Sequence, residues 1–160
     1  MTKPKEKILN ELLEIIKNIK YKDEKKILNE ICLELGRLPG YDWVGFYMLA
    51  GEGKIKKGKN NKLRLTAYAG VKTEHVNINI GEGICGTAAE MESTIIVPDV
   101  SIEKNYLSCS PKVKSEIVVP IFRKWILIGE IDIDSHKKNN FDEADRRFLE
   151  EVAEYVGRIL

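Results

Sequence analysis

Three runs decide the fold: GEGICGTAAEMESTIIVPDV (residues 81–100), NYLSCSPKVKSEIVVPI (105–121) and ILIGEIDIDS (126–135). They hold two of the three cysteines, Cys85 and Cys109, and a segment in which Glu130, Asp132 and Asp134 alternate with apolar residues. Successive side chains of a strand point to opposite faces, so the three acids share one face and Leu127, Gly129, Ile131 and Ile133 the other. A polar face on an antiparallel strand is commonly solvated. Like charges two residues apart nevertheless repel, which raises the pKa of at least one of them. The pattern therefore suits a cationic ligand group, a general acid or a hard metal ion as well as bulk water. Glu116 opens the preceding run and can face the same space.

The cysteines differ in setting. Ser108, Cys109, Ser110 and Pro111 form a polar stretch that is a poor place for a packing cysteine, and Lys112 and Lys114 supply charge that lowers a thiol pKa. At pKa about 8.5 a thiol is a few per cent ionised at neutral pH, whereas at about 7 it is roughly half ionised. Cys109 is thus the candidate nucleophile. Cys85 precedes a short helix expected over 87–92, where the dipole favours a thiolate; a small residue packed between glycines is an equal reading. Cys32 lies beside a helical apolar stripe and reads as core.

Gly81, Gly83 and Gly86 match G-x-G-x-x-G, with Asp99 following 18 residues after Gly81. The preceding NINI is half polar, the helix is cut short by Pro98, and no βαβ repeat precedes it. A glycine-rich turn into a short helix fits better than a dinucleotide site.

Outward from this centre, residues 5–20 place Ile8, Leu12, Ile15, Ile16 and Ile19 at helical spacing. Asp23 is a helix cap before a stripe of Ile27, Leu28, Ile31, Leu35 and Leu38. Residues 42–50 read as a strand with Trp43, Gly45 and Tyr47 on one face and Val44, Phe46 and Met48 on the other. A turn region over 51–61 leads to a strand over 62–69 with Leu63, Leu65, Ala67 and Ala69 on one face. Short strands follow at 76–80 and 95–97, then a polar connection over 99–114, of a length that is often functional. A hairpin over 116–134 turns at Arg123 and Lys124. Asp142 caps a last helix with Ala144, Phe148, Val152, Val156 and Ile159 as its stripe. His75 and His136 read as ordinary surface residues.

This is one α+β domain over 1–160: helices in 1–38, sheet and pocket in 42–135, and a C-terminal helix over 142–160. The terminal helices pack on one sheet face. Lys and Arg number 26 against 25 Asp and Glu, so no overall field favours nucleic acid or membrane. No apolar run reaches signal-peptide or membrane-spanning length, and a soluble cytoplasmic protein is expected. Three cysteines without a C-x-x-C pair argue against structural disulfides and a zinc ribbon. No metal centre and no bound cofactor are expected.

The order W-V-G-F-Y (43–47), G-x-G-I-C-G-T-A (81–88), P-D-V (98–100), Cys109 before S-E-I-V-V-P-I (115–121), I-G-E-I-D-I-D-S (128–135) and F-x-x-x-D (141–145) resembles the GAF-domain free methionine-(R)-sulfoxide reductases. The resemblance implies a mostly antiparallel sheet of about six strands, with terminal helices on one side and a ligand pocket on the other. It assigns catalysis to Cys109, with Cys85 and Glu116, and substrate binding to Trp43, Tyr47, Glu116, Asp132 and Asp134. The substrate would be free methionine sulfoxide, and the reductant an external thiol such as thioredoxin or glutaredoxin. Family members carry a further cysteine ten residues before the equivalent of Cys85, where this chain has His75. Recycling would then run through Cys85 or through direct attack by the external thiol. A homodimer is expected by analogy and from the apolar stripes of the terminal helices. A GAF sensor module that binds a small ligand without catalysis is the alternative.

Overall fold

The computed structural model describes residues 3–20, 22–50, 61–107 and 110–160. Cys109 and the turn over 51–60 lie outside these described residues. The elements are α1 (Lys3–Lys17), α2 (Glu24–Leu35), β1 (Trp43–Leu49), β2 (Lys62–Ala69), β3 (Asn77–Asn79), α3 (Gly83–Met91), β4 (Ile95–Val97), β5 (Ser115–Arg123), β6 (Ile126–Ser135) and α4 (Glu143–Ile159). A single 3-10 turn, Val100–Ile102, sits within the long connection before β5.

The six strands form one sheet in the order β3-β2-β1-β6-β5-β4, with every pairing antiparallel. Helices α1, α2 and α4 cover one face. There Val44, Phe46, Ile117, Val119, Ile131 and Ile133 join one core with Ile16, Leu28, Ile31, Leu149 and Val152. The other face carries Trp43, Tyr47 and Val118 against α3, whose Ile84, Cys85, Ala88 and Ala89 form a second, smaller core. The alternation of β1 therefore separates as its sequence predicts. Cys32 is fully buried in the first core.

Local chemistry fixes the helix ends. The Asp23 carboxylate accepts from the Lys26 amide at 3.1 Å, and Gly36 closes α2. Asp142 and Asp145 form a reciprocal capping box on α4. Asp145 is also fully buried and accepts from the Tyr41 hydroxyl at 2.7 Å and from Lys5 Nζ at 2.6 Å. One carboxylate thus ties together α1, the approach to β1 and α4.

Four local expectations are corrected. Helix α1 buries Leu9, Leu12, Leu13 and Ile16, while Ile8 and Ile15 are each 48% exposed. Two overlapping stripes are written into this helix, and docking on the sheet and α4 selects the leucine side. In α4, Leu149 and Ala153 join Phe148, Val152 and Val156 in the core, and Ile159 lies at the surface. In β2, Phe46 pairs with Ala67 and Tyr47 with Leu65, leaving Thr66 as an extra residue whose Oγ1 donates to the Arg64 carbonyl. That bulge turns Leu63 and Leu65 toward α3 but Ala67 and Ala69 toward the terminal helices. A second bulge lets Ile121 pair with Gly129 and Phe122 with Leu127, so Leu127 leaves the Ile131 face and Ile128 takes its place.

The β5–β6 hairpin turns at Lys124 and Trp125, both at positive φ (46° and 70°), one residue later than the sequence suggests. Trp125 is 95% exposed there. The leucine side of α1 and most of the α4 stripe are consumed by the protein's own core, leaving Ile8, Ile15 and Ile159 at the surface. No helix among the described residues is long and apolar enough to cross a membrane.

Helix α4 approaches β5 most closely at Gly157, where a Cβ would run into the Phe122 carbonyl oxygen. Gly157→Ala should therefore destabilise the protein by about 1–3 kcal/mol or more, read as a lower urea midpoint. An unchanged midpoint would show that this contact relaxes freely.

Candidate active site

The acids of β6 lie in the middle of the sheet, and their cross-strand neighbours are fixed by register. Asp134 is flanked by Trp43 and Glu116, Asp132 by Gly45 and Val118, and Glu130 by Tyr47 and Pro120. All four carboxyls are buried: Glu116 is 4% exposed, Glu130 0%, Asp132 2% and Asp134 1%. The solvated face that an alternating acidic strand commonly presents is thus covered here, because α3 lies over it together with Val100, Leu107 and Val113 of the connection.

Helix α3 begins at Gly83, four residues earlier than the sequence suggests, which places Cys85 in its first turn. The glycines set this position. Gly83 has φ +65°, and a Cβ there would press on Leu107. A Cβ on Gly86 would strike the Asn79 carbonyl, and the Gly81 amide donates to the Gly86 carbonyl at 2.9 Å. Asn105 locks the connection onto the same turn: its Oδ1 accepts from the Gly83 amide at 3.2 Å, and its Nδ2 donates to Thr87 Oγ1 at 3.0 Å. The glycine pattern thus serves close packing beside an antiparallel strand.

As a result, Cys85 Sγ, a Glu116 carboxylate oxygen and an Asp132 carboxylate oxygen lie within 4.8 Å of one another. They border a small cavity lined also by His75, Ile78 and Leu107. A neighbouring small cavity holds Trp43, Thr73, Ser110, Val113 and Asp134. Trp43 donates Nε1–H to the Val71 carbonyl at 3.0 Å and stacks on Tyr68 at 6.0 Å between ring centroids. Tyr47 is fully buried and donates its hydroxyl to the His75 carbonyl at 2.7 Å. The two aromatic residues therefore hold the 71–75 segment over the acids.

Burial dominates the electrostatics. It raises the Asp132 carboxyl to about 6, although the hydrogen bonds with Glu116 and Cys85 pull the other way. Burial also lifts Asp134 well above the usual carboxylate range, with the Asp132 charge adding to it. Glu130 is raised well above that range by burial, less the pull of Cys85 and with Asp132 reinforcing it. Cys85 lies beside Glu130, yet neither Glu130 oxygen accepts a well-formed hydrogen bond among the described residues. The Cys85 thiol is itself raised well above its ordinary value, first by burial and then by the charges of Asp132, Glu130 and Glu116. The thiolate favoured by a helix N-terminus is thus outweighed, and Cys85 is a protonated thiol.

Of the residues proposed from the sequence, the structure brings Cys85, Glu116 and Asp132 together, sets Asp134 and Trp43 beside them, and places Tyr47 behind His75. Leu107 borders the first cavity and Ser110 the second. His75 is corrected: it is half-buried and lines the cavity with Cys85. In the sequence it is marked by its place ten residues before Cys85, where the resembling family carries a cysteine. Glu130 also joins the buried cluster, and Asn105 joins the supporting contacts.

Residues 22–160 match the GAF domain family. The chain belongs to the GAF-domain family. A type II free methionine-R-sulfoxide reductase from Thermoplasma acidophilum superposes with a TM-score of 0.74 at 38% identity, covering 86% of this chain and 94% of that one. The free methionine-R-sulfoxide reductase of Saccharomyces cerevisiae is 37% identical over 73% of this chain and 62% of its own length. The GAF domain-containing protein A of Dictyostelium discoideum is 40% identical over 69% of this chain and 64% of its own length. The chain spans just under two thirds of the length of these two curated relatives. Within the family, it groups with the free methionine-R-sulfoxide reductases, as its motif order indicates.

The buried acids of this GAF domain set a pH dependence. Asp132 has a folded pKa of about 6 against an ordinary 3.8. The folded protein therefore binds a proton that the unfolded chain has released. Its contribution is fully present below the unfolded value and is lost as pH rises through about 6. Asp132→Asn should flatten the loss of stability between about pH 4 and 6 and leave the variant more stable at neutral pH, by on the order of 3 kcal/mol. Urea unfolding across that range checks this, and identical slopes for both proteins would refute it.

Proposed function

We propose that this GAF domain reduces free L-methionine-(R)-S-oxide to methionine. The observation that carries the reading is a cluster of buried carboxyls with raised pKa, beside a thiol, in a small cavity. Among the described residues no basic side chain pairs with Glu130, Asp132 or Asp134. Such a site is suited to a small zwitterion that brings its own ammonium group and consumes a proton when it reacts. The likeness to named free methionine-R-sulfoxide reductases supports the same substrate.

In this reading the Cys109 thiolate attacks the sulfoxide sulfur, and a protonated carboxyl among Glu116, Asp132 and Asp134 donates to the departing oxygen. The sulfur of the substrate is reduced to a thioether, and Cys109 is oxidised to its sulfenic acid. The remaining ionised carboxylates hold the substrate ammonium, which favours a free amino acid over a peptide-bound one. Trp43 and Tyr47 form the apolar side of the pocket. The Cys85 thiol then condenses with the sulfenic acid, forming a disulfide and releasing water. Because Cys85 starts protonated, a neighbouring carboxylate has to take its proton. A dithiol reductant of the thioredoxin or glutaredoxin class returns both sulfurs to thiols. Direct attack of an external thiol on the sulfenic acid is the route that does not need Cys85.

Turnover of the R epimer with dithiothreitol tests the reading. Wild type should be active, Cys109→Ser should be inactive, and Glu116→Gln or Asp132→Asn should lower kcat/KM by about 10²–10⁴. Activity left in Cys85→Ser measures the direct route. An inactive wild type, or an active Cys109→Ser, would overturn the assignment.

A further inference from the structure

We propose that Cys85, Glu116 and Asp132 form a three-donor binding site for a borderline-soft divalent cation of the zinc class, with the fourth position left to water or a bound ligand. One ligand atom from each of the three residues lies within 4.8 Å of the others. Tetrahedral bonds of about 2.0–2.3 Å require ligand atoms roughly 3.5 Å apart, so small side-chain adjustments close the site. All three residues are at most 4% exposed. They are held from three directions, by α3, β5 and β6, so the site is built by the fold.

A second observation points to a cation. Among the described residues, Asp132 Oδ1 is buried with no hydrogen-bond partner, and both oxygens of the adjacent Glu130 are buried without one. Buried acceptors with nothing to accept cost free energy, and a bound cation offsets that cost. The donor set selects the ion. Magnesium and calcium demand six or more oxygen ligands, whereas one thiolate and two carboxylates with an open fourth position match zinc.

Binding involves no change of oxidation state. Cys85 gives its proton to solvent as the sulfur–metal bond forms, so affinity rises with pH. The inference stands apart from the reductase reading, because a chain that binds the ion need not turn over sulfoxide.

The test uses the reduced full-length chain carrying Cys109→Ser, which removes the other candidate thiolate from the connection. Titration with cadmium chloride should produce a thiolate-to-metal charge-transfer band that saturates at one ion per chain. Zinc chloride should displace the cadmium and raise Tm. Cys85→Ser in this background should abolish the band, Asp132→Asn should weaken zinc binding about tenfold or more, and Cys32→Ser should change neither. Absence of the band while Cys85 is intact would overturn the proposal, whatever the folding of the variants. So would a band that survives Cys85→Ser but vanishes with Cys32→Ser.

Discussion

The structure depends on the burial of Glu130, Asp132 and Asp134 on β6, a central strand of the sheet. With β1 on one side and β5 on the other, these side chains cannot escape to water over an edge. An isolated ionised carboxylate in such a place costs several kcal/mol. The protein meets this by raising the acids toward their neutral forms and by letting Glu116 and Asp132 share a hydrogen bond. The opposite face of the same strand offsets the remainder, since Ile131 and Ile133 are fully buried under the terminal helices. One strand thus serves as core on one side and chemistry on the other.

The cover over the acids is fixed by backbone contacts more than by hydrophobic bulk. Gly86 lets α3 sit against the end of β3, Asn105 fastens the long connection to the first turn of α3, and Leu107 fills the space that Gly83 leaves open. At the other side Trp43 and Tyr47 reach up to the Val71 and His75 carbonyls. The conformation of the cover therefore depends on small residues and amides, which explains why the second core is modest beside the first.

Much of this is legible in the sequence wherever a segment's period is unbroken. Both faces of β1 and the common face of the three acids follow from alternation. So do the Asp23 and Asp142 caps, whose chemistry is local. The misreadings fall where a local rule meets a tertiary choice. A bulge at Thr66 or Ile128 reverses every side chain beyond it, yet neither residue announces it. Helix α1 carries two candidate stripes, and only docking distinguishes Leu9 and Leu13 from Ile8 and Ile15. Cys85 has a helix N-terminus in its favour on paper, but three carboxylates separated from it in sequence by 31 to 47 residues decide its protonation.

His75 shows how such a site can change its chemistry without changing its frame. The hydrogen bond that holds this position runs from the Tyr47 hydroxyl to the backbone carbonyl of residue 75, so it is indifferent to the side chain there. A cysteine, a histidine or another residue can be carried over the acids by the same loop geometry. The family resemblance implies a cysteine at this point, and the present chain has a histidine that lines the cavity with Cys85, Glu116 and Asp132. The carboxylates that define the pocket are meanwhile held by sheet register. Position 75 is accordingly tied to the frame through its backbone, by the Tyr47 hydroxyl at its carbonyl and the Thr73 hydroxyl at its amide.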